Sequence, residues 1–269
     1  MPLRIGCCTN MIAGGADKTG AEHIDLLAEL GYDYVELPIA DIMALDEQRF
    51  LQIAQMVKDS AIACECCNNF FPVTMRLTGP EADFDAAMDY VRRAAARAGA
   101  LGAKIIVFGS GPAKKVPEGF PKEEAFHQLA RLLSELSPVA AEYGITLAIE
   151  PLRLEECNII TSFREGCDLS DAVNRENVKV LVDYFHLSGV KEDPAHIASL
   201  GEGRLVHVHF ARPEGRRFPA DIGENAGYQP FIRALQSAHY QGRVSIEAYA
   251  GDIREEAAAG LRFMRAHFV

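Results

Sequence analysis

Tryptophan is absent from this chain of 269 residues, so no indole can line a ligand pocket. Basic residues are in deficit as well, with 27 Lys and Arg against 38 Asp and Glu and a net charge of -11. Such a balance disfavours long-range attraction of polyanions and a broad phosphate-backbone footprint, so nucleic acid is not expected as a partner. No stretch approaches the roughly 18 uninterrupted apolar residues that a membrane helix needs. The first residues, MPLRIGCCTN, lack the apolar core of a signal peptide. Together these absences imply a cytoplasmic protein with no membrane partner. The seven cysteines are an odd number without a secretory signal, and read as reduced small hydrophobes rather than a disulfide framework. CECC at 64–67 has no matching second pair for a zinc site, and Cys64 and Cys66 are expected to alternate on a strand with the core. No linker, low-complexity tract or phosphate-binding glycine fingerprint is evident; GSG at 109–111 reads as a tight turn.

What the chain does contain is apolar material, 49% of its residues, enough to bury one large core. Short runs rich in Val and Ile alternate with longer stretches of helical period, the mark of repeated βα units around a parallel sheet. Strands are predicted at 3–8, 34–37, 62–66, 104–108, 146–149, 178–182, 204–208 and 243–246. Helix candidates include 20–30, 46–60, 84–100, 122–143 and 229–239. Gly31, Gly102, Gly144 and Gly242 each precede a strand, where a left-handed helix cap is expected. Eight such units over about 250 residues predict an α/β fold, a (β/α)8 TIM barrel, as a single domain over 1–269.

Barrel enzymes build their sites at the C-terminal ends of strands, so a polar residue directly after an apolar run is the informative position. Four strands in succession end this way: LAIEP places Glu150, VLVDYFH places Asp183, LVHVHF places His209 and VSIEAY places Glu247. The intervals are 33, 26 and 38 residues, each about one βα unit, which delivers the four side chains to one rim. Singly, each has an ordinary reading as a helix cap or a satisfied core residue. Three carboxylates crowded together repel one another unless protons or a cation intervene, and a divalent ion removes that repulsion in one step. A ligand set of three oxygens and one nitrogen without thiolate makes Mn2+ the first expectation, with Mg2+, Co2+ and Zn2+ behind it. His207 shares a strand face with His209 and reads as a supporting partner rather than a ligand. His186 lies in the loop after the sixth strand and reads as a donor to substrate, the alternative being a helix cap.

EPL at 150–152, DYFH at 183–186, HVHFARPEGRRFP at 207–219 and YQGRVSIE at 240–247 carry a resemblance to the xylose isomerase-like barrel superfamily. Within it the chain is most similar to the sugar phosphate isomerase/epimerase group that includes the D-tagatose and D-psicose 3-epimerases, over most of its length and most strongly from 144 to 250. The resemblance implies that Glu150, Asp183, His209 and Glu247 hold one metal ion, that Glu150 and Glu247 carry protons, and that Glu156, His186 and Arg216 contact a sugar. Arg153 stands where many relatives have Asn, the arginine loop is about one residue longer before Pro219, and there is no Trp; these departures bear on the substrate.

The implied chemistry is proton removal from a hydroxyl-bearing carbon beside a carbonyl, with the enediolate oxygens held by the cation. Carboxylates on opposite faces would give epimerisation; one carboxylate shuttling a proton between neighbouring carbons would give aldose–ketose isomerisation. A lyase acting on a keto-inositol or dehydroshikimate is the competing activity on the same scaffold. An endonuclease IV-like phosphodiesterase needs more histidines and a basic face, and a non-catalytic sugar-binding module has no need of two opposed carboxylates. Phe70 and Phe71 read equally as a pocket wall or as loop anchors. Arg212, Arg216 and Arg217 lie where many barrels bind phosphate, which leaves a phosphorylated substrate open. Lys114 and Lys115 read as solvated charges. The expected partner is a small sugar or sugar derivative, and a homo-oligomer is left open.

Overall fold

The computed structural model describes residues 3–220 and 227–268. Eight strands, β1 (Arg4–Cys8), β2 (Tyr34–Pro38), β3 (Ala63–Asn68), β4 (Ile105–Phe108), β5 (Thr146–Ile149), β6 (Val178–Asp183), β7 (Leu205–Phe210) and β8 (Arg243–Ile246), pair in parallel in chain order and close into a barrel. The predicted strands therefore all form, with ends shifted by two residues at most. Longer helices on the outside run over Glu47–Asp59, Phe84–Leu101, Lys122–Glu142, Phe163–Val173, Tyr228–Ser237 and Ile253–His267. Several start where a short acceptor side chain stands ready to cap: Asp46 accepts from the Arg49 amide at 2.7 Å, Asp83 from Ala86 at 2.9 Å and Asp252 from Glu255 at 3.1 Å. Among the described residues no helix is long and apolar enough to cross a membrane.

The helix expected over 20–30 divides into a 3₁₀ turn, Ala21–His23, and an α-helix, Ile24–Leu30. Gly31, Gly102 and Gly144 adopt the expected positive φ, whereas at the fourth junction His239 does so and Gly242 does not. Gly242 is small for another reason. The Tyr240 hydroxyl folds back to donate to the Arg243 carbonyl at 2.6 Å and accept from its amide at 2.8 Å, and a Cβ on Gly242 would collide with that ring.

Side chains facing the helices merge with the helices' apolar faces into one large core, while Tyr34, Cys66, Ile105, Val107, Ala148 and Leu181 fill the barrel interior. Gly6 makes room for that filling, because a Cβ there would fall on the Tyr34 ring. Cys64 and Cys66 lie on opposite sides of the barrel wall: β2 pairs Val35 with Cys64 but Glu36 with Cys66, so residue 65 is an extra residue in β3. All seven cysteines are buried and free.

Candidate active site

At the C-terminal end of the barrel, strand registry brings together the four residues singled out by sequence. Asp183 closes β6 opposite His209 of β7, and Glu150 and Glu247 follow β5 and β8 directly. All four are buried, and one ligand-type atom from each lies within 4.8 Å of those of the others. His209 Nδ1 stands 3.2 Å from Glu150 Oε1 and 2.8 Å from Glu247 Oε2. Asp183 also plays the ordinary capping role, accepting from the Phe185 amide at 2.8 Å.

Glu150 is held on several sides. Its amide donates to the Phe108 carbonyl at 3.2 Å, and its own carbonyl accepts from Lys114 Nζ at 2.7 Å. Gly109 passes so close that a Cβ there would collide with the Glu150 carboxylate. Lys114 is therefore not the solvated charge that its sequence suggested: it is fully buried, with its ammonium 5.5 Å from the centre of the Phe108 ring. Lys115 alone is exposed.

Sequence reasoning missed Glu36 on β2. This fully buried carboxylate lies with Oε1 3.0 Å from His209 Nε2 and Oε2 2.8 Å from His207 Nε2, and it accepts from the Ser245 hydroxyl at 2.6 Å. Tyr34 continues the chain, its hydroxyl 2.9 Å from Ser245 Oγ. His207 thus supports His209 through a shared carboxylate. An ionised carboxylate only accepts hydrogen bonds, so the proton on His209 Nε2 is fixed and Nδ1 is turned toward the acids.

The charges are mutually dependent. Burial opposes the charged imidazole of His209, yet Glu36, Cys8 and Glu247 hold its pKa well above the usual value. Burial likewise opposes ionisation of Glu36, but His209 and His207 keep its carboxyl well below the ordinary range. Burial pushes Glu150 up and Asp183 up to about 7. Glu247 moves the other way, to about 2, because Arg216 and His209 outweigh its burial. A lone pair on His209 Nδ1 facing two carboxylates is tolerated only with a proton or a cation between them. Three carboxylate oxygens around one imidazole nitrogen are a donor set that suits a divalent ion of hard to borderline character, so these residues fit one.

Above the cluster opens a cavity of about 430 Å³, lined by Glu150, Glu156, His186, Arg216 and Glu247 on one side and by residues of the first four βα loops on the other. Arg216 Nη2 reaches Glu247 at 2.6 Å and Asp183 at 3.1 Å. His186 Nε2 lies 3.5 Å from Asp183 Oδ2, and the Arg153 amide donates to His186 Nδ1 at 3.4 Å. Arg153 also pairs with Glu156 at 2.8 Å, and its guanidinium lies 4.4 Å from the centre of the Phe185 ring, with that of Arg216 at 4.7 Å. Phe71 lines the cavity, whereas Phe70 is core, its carbonyl accepting from the Tyr90 hydroxyl at 2.8 Å. The three arginines after β7 do not form a phosphate cluster: Arg216 is engaged by the acids, Arg217 pairs with Glu256 at 2.6 Å, and Arg212 is no part of the cavity wall. A larger cavity, about 550 Å³, opens at the other end of the barrel around Lys104, Thr146 and Arg243, away from these acids.

Fold and site together place the protein in the class of (β/α)8 barrels that gather polar residues at the C-terminal rim of the strands. A family profile described as the xylose isomerase-like TIM barrel matches residues 24–267, and the chain belongs to that family. L-Ribulose 3-epimerase of Methylomonas sp. (strain DH-1) is 26% identical over 230 residues, covering 84% of this chain and 77% of that protein. The 2-oxo-tetronate isomerase of Haemophilus influenzae is 30% identical over 134 residues, 49% of this chain and 51% of the other. Inosose isomerase of Bacillus subtilis is 27% identical over 142 residues, 48% and 49% respectively; with these last two the match spans about half of either protein. Among solved structures, D-psicose 3-epimerase in the presence of D-fructose superposes with a TM-score of 0.86 at 20% identity, over 99% of both chains. D-Psicose 3-epimerase with D-tagatose from Clostridium cellulolyticum H10 gives 0.87 at 19%, also over 99% of both. These superpositions show the same barrel.

Proposed function

We propose that the protein is a divalent-metal-dependent epimerase or isomerase of a ketose or keto-sugar derivative. The observation that carries this reading is the placement of Glu150 and Glu247, which approach His209 Nδ1 from different strands and both line one cavity. Glu150, Asp183, His209 and Glu247 would hold the ion, with Mn2+ the first candidate. Such an ion supplies positive charge to offset the negative charge that develops when a carbon beside a carbonyl loses its proton.

The chain's own groups would do the rest. One glutamate takes a proton from the carbon, and the other returns one from the opposite face, giving inversion. Arg216, bonded to Glu247, favours its ionised form and so its role as base; Glu150, raised by burial, is suited to the acid. Glu156, His186 and Arg216 surround the place where the reacting end of a sugar would lie. The match to a 3-epimerase over most of the chain supports inversion, and the half-length matches to isomerases support the common proton-transfer step.

The test is metal analysis of purified protein together with NMR of free ketoses, ketose phosphates and keto-inositols in deuterated water. We expect about one ion per chain, metal-dependent turnover and solvent deuterium at the inverted carbon. A metal-loaded protein that exchanges no carbon-bound hydrogen in any of these compounds would refute the proposal. Loss of water from the product would assign a lyase instead.

A further inference from the structure

Eight non-glycine residues among those described have positive φ, and four of them line the active-site cavity: Lys18, Asn69, Ser110 and Arg216, with φ of 57°, 49°, 43° and 50°. A residue with a Cβ adopts this conformation only where its surroundings insist on it, and such residues gather at functional sites. Two of the four have their side chains occupied. Ser110 Oγ accepts from the Phe71 amide at 2.9 Å, and Arg216 is bonded to Asp183 and Glu247. Lys18 and Asn69 are different, because neither side chain has a hydrogen-bond or ion-pair partner among the described residues. The half-buried Asp41 carboxylate, in the short helix Ile39–Ala44 after β2, accepts from its own main-chain amide but meets no other side chain at hydrogen-bond distance among the described residues.

The loop carrying Lys18 is built rather than slack. Asp17 Oδ1 accepts from the Thr19 amide at 3.1 Å and its hydroxyl at 2.9 Å, and Asp17 Oδ2 is bonded to Arg49 at 2.7 Å. The Thr9 hydroxyl donates to the Thr19 carbonyl at 2.6 Å, and Gly20 packs so tightly on Thr9 that no Cβ fits. The Ala40 amide donates to the Asn69 carbonyl at 3.0 Å, which ties the Asp41 helix to the loop after β3. Burial raises the Asp41 carboxyl while nearby Lys18 pulls it back, so the two charges sense each other. Barrel order sets this group, after β1, β2 and β3, across the mouth from β5 to β7.

We propose that Lys18, Asp41 and Asn69 form the subsite for the end of the substrate remote from Glu150 and Glu247, and that it selects an uncharged, hydroxylated end over a phosphorylated one. The inference rests on the proposed epimerase or isomerase function. An ionised carboxylate only accepts and an ammonium only donates, whereas a hydroxyl does both. A pair of neighbouring hydroxyls therefore satisfies Asp41 and Lys18 together. A phosphate gains Lys18 but must face Asp41, while Arg216 and Arg217 are engaged by carboxylates and Arg212 is no part of the cavity wall.

The experiment compares kcat/KM for three compounds: a free ketohexose, its 6-deoxy analogue and its 6-phosphate. Wild type, Asp41→Ala, Asp41→Asn and Lys18→Met are tested, each checked for metal content and thermal unfolding. Wild type should prefer the free sugar to the 6-deoxy analogue by about tenfold or more, the worth of a hydrogen bond to a charged group. Asp41→Ala should erase that preference mainly through KM and raise the 6-phosphate relative to the free sugar. Asp41→Asn keeps the shape, removes the charge and should show the same gain for the phosphate if the alanine variant does not fold. Lys18→Met should lower use of the free sugar without favouring the phosphate. Equal use of free and 6-deoxy sugars by wild type, or an equal loss on all three compounds in the Asp41 variants, overturns the subsite. Absence of hydrogen exchange with every ketose in metal-loaded wild type instead removes the proposed function, and the subsite with it.

Discussion

Replacing Glu36 by glutamine should weaken the hold on a divalent ion by about 10- to 100-fold, although Glu36 lies outside the proposed ligand set. In the native protein its two oxygens meet His209 Nε2 at 3.0 Å, His207 Nε2 at 2.8 Å and the Ser245 hydroxyl at 2.6 Å. An amide offers one acceptor oxygen and one donor nitrogen, so two hydrogen atoms would then confront each other among side chains that are fully buried. His209 can escape by moving its proton from Nε2 to Nδ1, the nitrogen that faces Glu150 and Glu247. Binding an ion then requires that proton to move back. Losing a hydrogen bond to a charged partner costs about 1.5–3 kcal/mol, which corresponds to about 10- to 150-fold in affinity and agrees with the first figure. The measurement is competition for Mn2+ against a chelator of known affinity, followed without reference to turnover. Circular dichroism on the same sample establishes that the variant is folded. A folded Glu36→Gln protein that binds Mn2+ as tightly as wild type would refute the argument that Glu36 sets the His209 tautomer.

Glu150→Gln and Glu247→Gln should each lower turnover by about 10² to 10⁴ with little change in the melting temperature; near-normal turnover by either variant removes that residue from proton transfer. Lys114→Met should leave stability unchanged or raise it, because a buried ammonium without a close carboxylate is costly, yet lower kcat on the order of 10- to 100-fold as Glu150 loses its main-chain anchor; a fall in both melting temperature and activity would mark Lys114 as merely structural. The metal-free protein should lose stability as pH rises from about 4 to about 7. Asp183, with a folded pKa raised to about 7, stabilises fully only below its unfolded value of about 3.9 and loses that contribution as pH climbs through the folded one. Thermal melts of metal-free Asp183→Asn should show a shallower decline over this window, and identical slopes would contradict the assignment.

The barrel was legible because its two periods, two in strands and about 3.6 in helices, alternate with few interruptions. The rim acids were legible because Glu150, Asp183 and Glu247 each follow an apolar run directly. Glu36 left a fainter trace, an acid within YVELP, where both flanking apolar residues point away from it; it is understood only once β2 and β7 are seen to share the barrel interior. Nothing local separates Lys114 from Lys115. One is buried and the other exposed because a single turn of helix, Gly111–Lys114, aims the first at the end of β5. The cap at Gly242 was misplaced because a glycine before a strand can also serve a crowded tyrosine.

Tyr34 and the side chains around it seal the barrel below the acids, and Gly6 lets that seal fit tightly. The acids consequently open onto the cavity above them rather than through the barrel interior. Glu150 and Glu247 line that cavity whereas Asp183 and His209 do not, so an ion held by all four would lie deeper than a molecule in the cavity. On the proposed function, the ion would be seated before the sugar arrives and shielded by it until it departs, so a chelator should strip the ion between turnovers rather than during them.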